Sequence, residues 1–248
     1  RLDLMLIMIG ASDLLSWLEK GAPATIKPGQ FSLDRIFASH SLGRYGWHWR
    51  QSALRQIAAH LNEKWRRPVQ QKYQVGKNMD RLRASRANAR HMIDEMPDPT
   101  PMLQHFERNF RDILQIAKAK ARRVIVVRQP WFEKEFDQQE ESFMWHFNQG
   151  NVHAGPVDTY YSHRVAAELM RQVDQTQAAV ARDMGVEQVD LMPHLDRSLD
   201  TYYDFYHFTP KGCGAIAAVV TDAIRRPAAA PAPGGNHVEH AAAAKPAS

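Results

Sequence analysis

Leu4-Met5-Leu6-Ile7-Met8-Ile9-Gly10, close to the start of the chain, decides the fold class. Six consecutive apolar residues are too few to cross a membrane and are typical of a β-strand that is buried on both faces. The glycine predicts a turn, after which Ser12 or Asp13 is expected to cap a short helix over residues 14–20. A strand of this kind indicates a parallel sheet covered by helices.

The rest of the chain repeats this alternation of strands and helices. Val124 to Val127 is a second apolar run, and residues 186–191 form a weaker third one. Residues 158–184 carry apolar side chains at steps of 4 and 7, typical of an amphipathic helix, and a last helix is predicted to begin at Thr209-Pro210. The pattern predicts an α/β fold, a three-layer sandwich with a parallel sheet. Functional residues of such folds lie in loops at the carboxyl ends of the strands.

Two regions interrupt the alternation. Residues 28–101 are predicted to be a helical insertion, with helical patterning over residues 52–65 and 79–93, and residues 227–248 a disordered tail rich in Ala, Pro and Gly. One domain is therefore expected over residues 1–226. Because the chain opens with Arg1 directly before a strand that should be buried, we expect it to be truncated at the N-terminus.

Composition and charge restrict the class of function. A single cysteine among 248 residues excludes an internal disulfide framework and a multi-cysteine zinc site. No apolar run is long enough to span a membrane. Residues 41–128 contain 19 Lys or Arg and 7 Asp or Glu, a local excess of +12. Such asymmetry is found in nucleic-acid binders, but the stretch lacks their basic-aromatic stripe, which favours solvated helix faces instead.

The richest chemistry lies just before the last helix, in Asp204-Phe205-Tyr206-His207. A carboxylate three residues before a histidine can accept the Nδ1 proton and leave Nε2 free to remove a proton from a nucleophile. The spacing alone favours an aspartate that caps a turn and a histidine that packs among aromatic rings, because this spacing is common.

The order of these features resembles that of the SGNH (GDSL-type) hydrolases. Gly10-Ala11-Ser12-Asp13 is similar to that family's third block, Gly-x-Asn-Asp, and Asp204 to His207 with Gly212 is similar to its fifth. The resemblance covers about residues 1–226. It implies a flavodoxin-like sandwich and a serine esterase that needs no metal or organic cofactor.

The resemblance also assigns roles to particular residues. His207 would be the general base and Asp204 its orienting partner, while Gly10 and Ser12 would lie at the oxyanion site. The implied substrate is an ester of a small molecule, a carbohydrate or a lipid; acyl transfer to another hydroxyl would use the same residues.

Two departures from the family pattern keep other functions open. No Gly-Asp-Ser sequence is present, so the nucleophile is unassigned, and we expect these 248 residues alone to hydrolyse no esters. Ser12 stands where the family has Asn, and a hydroxyl is shorter than an amide. A non-catalytic binding protein on the same scaffold, or a basic module that binds anions or nucleic acid, therefore remains an alternative.

A few further side chains are candidates for binding. Trp131, which follows a strand end, and Tyr206 could line a substrate pocket, with core packing as the alternative. Two histidines of the tail, His237 and His240, could bind a metal adventitiously. Three histidines of the insertion have spacings that match no metal-binding pattern: His40, His48 and His60.

Overall fold

The structure, a computed structural model, describes residues 1–26, 68–152, 155 and 157–227, with the backbone alone for 68–75. Within these ranges the chain forms the strands β1 (Leu2–Ile7), β2 (His91–Ile93), β3 (Ala121–Arg128), β4 (Thr159–Tyr161) and β5 (Glu187–Asp190). Its helices are α1 (Ala11–Glu19), α2 (Pro68–Ala87), α3 (Thr100–Lys120), α4 (Gln138–Glu141), α5 (His163–Asp183) and α6 (Pro210–Arg225). The helix predicted over residues 52–65 and the predicted tail beyond 227 lie outside the described residues.

A parallel sheet of three strands, in the order β1-β3-β5, forms the centre of the molecule. Leu6 of β1 pairs with Ile125 of β3, which pairs in turn with Glu187 of β5. The central strand β3 is the most deeply buried, as its run Val124 to Val127 predicts. The predicted α/β class is confirmed. All three carboxyl ends lie at one edge of the sheet, where the loops that carry the candidate site begin.

Helices flank the sheet. α3 packs against α5 and β3, and α1 packs against both of these helices. α6 also contacts the sheet. Arg123 of β3 donates hydrogen bonds to the carbonyls of Ala223 and Ile224, near the C-terminal end of α6. Val219 of α6 lines a cavity together with Ile125 of β3. This arrangement is compatible with a three-layer sandwich.

The amphipathic helix predicted over residues 158–184 is shorter than predicted. Its apolar stripe is buried as expected, including Val165, Leu169 and Val173. The helix begins only at His163, because the Ser162 side chain accepts a hydrogen bond from the Val165 N–H and caps it.

A second, two-stranded parallel sheet was not predicted. It pairs β2 with β4, where the sequence pattern predicted helix at both places. Strands of three residues are too short to show a two-residue period, so only their pairing across the fold creates them. The helical patterning over 79–93 therefore ends at Ala87, and residues 91–93 are strand.

The turn after β1 also differs from the prediction. α1 begins at Ala11, and its N-cap is Gly10, so neither Ser12 nor Asp13 caps it. Gly10 has φ = 136°, which only glycine adopts readily, and the Ala11 N–H donates to Oε1 of Gln129 at 3.3 Å. The ends of β1 and β3 are thereby joined. Among the described helices, none combines the length and the apolar character that a membrane span requires.

Candidate active site

The segment from Thr201 to Thr209, ahead of α6, is closed on itself by backbone hydrogen bonds. The Thr209 N–H donates to the Thr201 carbonyl at 3.0 Å, and the Tyr203 N–H donates to the His207 carbonyl at 2.8 Å. Thr209 then caps α6, because its hydroxyl accepts from the Gly212 N–H. These bonds fix the loop in which Asp204 and His207 lie.

Asp204 is the most completely bonded side chain of this loop, and none of its surface is exposed. Its Oδ1 accepts from the backbone N–H groups of Tyr206 and His207, at 3.1 and 3.0 Å. Its Oδ2 accepts from the indole N–H of Trp145 at 3.0 Å. Burial opposes the charge of the carboxyl, but the hydrogen bond with His207 and the nearby imidazoles outweigh it, so the pKa of Asp204 is lowered.

The expected hydrogen bond between Asp204 and His207 is present. Nδ1 of His207 lies 2.8 Å from Oδ2 and 3.0 Å from Oδ1 of the carboxylate. The imidazole side chain is 53% exposed, so it extends from a buried anchor towards solvent. Its hydrogen bond with Asp204, which outweighs the effect of burial, raises the pKa of His207. The carboxylate thus orients the ring with Nδ1 inward.

His146 lies beside this pair and was not predicted from the sequence. Its Nε2 is 3.9 Å from Oδ2 of Asp204, and its ring centre is 5.6 Å from that of His207. It comes from a loop 58 residues before Asp204, so only the fold brings them together. The one signal in the sequence is the aromatic run Trp145-His146-Phe147, which resembles the aromatic crowding around His207.

Aromatic contacts connect this loop to the body of the protein. The Phe132 N–H donates to the Phe205 carbonyl at 2.7 Å, and the Phe132 ring stacks on Tyr202. Trp131, a candidate for the substrate pocket, is only 3% exposed and belongs to the hydrophobic core. The loop at the end of β3 therefore supports the Asp204 loop through packing.

Tyr206, the other pocket candidate, does line a cavity. This cavity of about 140 Å³ is bounded by Tyr206, Trp145 and His146 on one side and by Leu15 and Glu19 of α1 on another. It is far smaller than the ~300–1,000 Å³ of pockets for drug-sized ligands. It has room for a short acyl chain.

The structure places Gly10 and Ser12 at the start of α1. Gly10 is buried at the turn, whereas Ser12 is exposed. Ser12 lies three residues before Leu15 and seven before Glu19, on the face of α1 that borders the cavity. Among the described residues no hydrogen bond joins either of them to His207.

The buried imidazole of His146 predicts an acid-sensitive stability. Burial lowers the pKa of His146 to about 3 from its usual 6.5. Between these two pH values the ring is protonated in the unfolded chain but stays neutral in the folded protein. As the pH is lowered from 6.5 towards 3, the free energy of unfolding should therefore decrease by about 1.4 kcal/mol per pH unit. His207 affects stability with the opposite dependence on pH. Because its pKa is raised, it stabilises the folded protein fully below pH 6.5, and this stabilisation is lost as the pH rises through the raised pKa.

Urea unfolding at several pH values between 4 and 7, with EDTA present, measures this slope. His146→Phe should reduce it. His163, whose pKa burial also lowers, and Glu141, whose pKa is lowered by its hydrogen bond with His163, contribute to the slope that remains. An unchanged slope in His146→Phe would show that His146 accepts a proton in the folded state.

Comparisons of the chain with models of protein families, with curated proteins and with solved structures find no match.

Proposed function

We propose that this chain carries the acid–base part of a serine esterase of the SGNH type, on a flavodoxin-like three-layer sandwich. The hydrogen bond from Nδ1 of His207 to the buried Asp204 carboxylate carries the proposal. A free or merely packed histidine would not need a carboxylate held by three further N–H donors. Two further features support the proposal: the His207 ring is exposed to solvent, and a small cavity lies beside Tyr206.

The chemistry follows from the orientation of the ring. With Nδ1 hydrogen-bonded to Asp204, Nε2 carries the lone pair and faces outward. It accepts the proton of a serine hydroxyl while the serine oxygen attacks the ester carbonyl carbon. The imidazolium then gives this proton to the departing alcohol, which leaves an acyl-serine. In the second half of the reaction, Nε2 accepts a proton from water while the water oxygen attacks the acyl-serine. The imidazolium then returns this proton to the serine oxygen, and the acid is released.

The other residues have supporting roles in this proposal. In this proposal the Gly10 backbone N–H and the Ser12 hydroxyl, at the start of α1, donate hydrogen bonds to the oxyanion. Tyr206 and Trp145 bound the cavity for the acyl chain. Because that cavity is small, the favoured substrates are esters of short acids such as acetate.

Hydrolysis of short-chain aryl esters tests the proposal. It is measured for the 248-residue chain and for the product of the complete gene that encodes it. The chain alone should stay at the background rate, because it contains no Gly-Asp-Ser sequence. The complete product should turn over, and His207→Ala should abolish turnover in it.

His194→Ala is the matched control, because His194 is exposed and lines a different cavity from the one beside Tyr206 and His146. It should leave turnover unchanged. Equal background rates for the complete product and its His207→Ala variant would reject the esterase. They would instead favour a binding protein on this scaffold, the function that the serine at position 12 in place of Asn also fits.

A further inference from the structure

Three possible metal ligands from two distant loops converge beside the cavity. They are His146, Asp204 and His207, and one ligand atom from each lies within 4.8 Å of the other two. Nδ1 of His207 is 2.8 Å from Oδ2 of Asp204, and Nε2 of His146 is 3.9 Å from the same oxygen. The ligand atoms of a tetrahedral Zn²⁺ ion lie about 3.3 Å apart, because its bonds are about 2.0–2.1 Å long. The two separations from Oδ2 of Asp204, 2.8 and 3.9 Å, lie below and above this distance.

His146 is the independent observation that points to a ligand. Its side chain is only 2% exposed, yet neither ring nitrogen has a hydrogen-bond partner among the described residues. A buried polar group without a partner costs about 1–3 kcal/mol, so proteins rarely retain one without a use. Burial also keeps the ring neutral, which is the form that binds metals.

We propose that His146 Nε2, Asp204 Oδ2 and His207 Nδ1 bind a divalent transition-metal ion, with Zn²⁺ as the ion that fits best. Two imidazoles and one carboxylate are a ligand set that Zn²⁺ accepts, with a fourth position left for water. Mg²⁺ and Ca²⁺ fit poorly, because they prefer sets made of oxygen atoms.

The surroundings of the cluster support such a site. The Trp145 indole N–H and two backbone N–H groups orient the Asp204 carboxylate, as groups behind a metal ligand commonly do. The exposed ring of His207 offers an entry path from solvent. The cavity of about 140 Å³ beside His146 has room for the water at the fourth position.

A bound ion would exclude general-base catalysis by His207. The single proton of the neutral ring moves from Nδ1 to Nε2 through solvent, and the lone pair that this leaves on Nδ1 binds the ion. Nε2 can no longer accept a proton from a serine. The metal site itself does not depend on the proposed esterase, but if both are right, Zn²⁺ inhibits ester hydrolysis.

Competition with a chromophoric zinc indicator tests the site directly, without ester turnover. The full chain carries His237→Ala and His240→Ala, to remove adventitious binding by the tail. It should bind one Zn²⁺, and His146→Phe should weaken this binding at least about 100-fold, the upper range for loss of a residue that merely supports a ligand. Co²⁺ in place of Zn²⁺ should give the intense visible absorption of a tetrahedral ion.

His194→Ala, which removes an exposed histidine, should leave the zinc affinity unchanged. If His146→Phe does not fold, His207→Ala provides a second ligand deletion with His146 in place, and the same loss of affinity is expected. Zinc binding that survives both deletions would overturn the site. So would the absence of binding once the tail histidines are replaced. Metal binding by this chain, together with no esterase activity in the metal-free product of the complete gene, would leave this inference standing and reject only the proposed function.

Discussion

Gly212→Ala should destabilise the protein by about 2 kcal/mol and displace His207 from its carboxylate. A Cβ atom at Gly212 would lie 2.2 Å from the Thr201 carbonyl oxygen and 3.0 Å from its carbonyl carbon. Both are backbone atoms that cannot rotate away. Overpacking of this kind costs about 1–3 kcal/mol or more, against which alanine regains at most about 1 kcal/mol of helix propensity. Because Thr201 also accepts from the Thr209 N–H, its displacement would open the loop that contains both members of the dyad.

Gly214→Ala is the control, two residues further along the same helix. A Cβ there meets no atom within 4 Å, so alanine should stabilise the protein by about 0.5–1 kcal/mol through helix propensity alone. Urea unfolding gives both free energies, and an NMR titration of His207 follows the dyad. Equal stability of the two variants would mean that the loop yields to Cβ without cost.

Asp204→Asn should lower the pKa of His207 and remove its capacity as a base. The asparagine oxygen can still accept from the backbone N–H groups of Tyr206 and His207. Its NH₂ group then faces Nδ1 of His207 and the indole N–H of Trp145. Nδ1 becomes an acceptor and the ring proton moves to Nε2, a tautomer that loses ~10⁴-fold in turnover in serine hydrolases. The indole N–H loses its acceptor.

The stability should fall as well, by about 1.5–3 kcal/mol, because hydrogen bonds to a buried charge are lost. NMR titration and urea unfolding measure the two effects. Asp200→Asn is the matched control just before this loop: the exposed Asp200 carboxylate pairs with the exposed Lys211, so this variant should change stability by less than about 0.5 kcal/mol. A His207 pKa in Asp204→Asn equal to that of the unchanged protein would show that the carboxylate does not set the state of the ring.

Much of the fold could be predicted from local patterns. The run Val124 to Val127 and the stripe of α5 are buried where predicted, because each is long enough to show its period. The run before Gly10 forms a strand as predicted, but the prediction that it is buried on both faces is wrong: β1 lies at the edge of the three described strands, and Leu6 and Met8 are exposed. Thr209 caps α6 as its sequence indicates. The three-residue strands β2 and β4 could not be predicted, since they exist only by pairing with each other.

The same division holds for the candidate site. The sequence by itself determined that Asp204 and His207 lie close together, because residues three apart in one loop are near each other in most folds. The hydrogen bond between their side chains is seen only in the structure. Only the tertiary structure decided that Trp145 and His146 complete their surroundings, since a loop 58 residues away must be folded against them. It also decided that Gly212 must lack a side chain, because the carbonyl that touches it belongs to Thr201 on the opposite side of the loop. Such contacts depend on distances across the fold, and these have no local pattern.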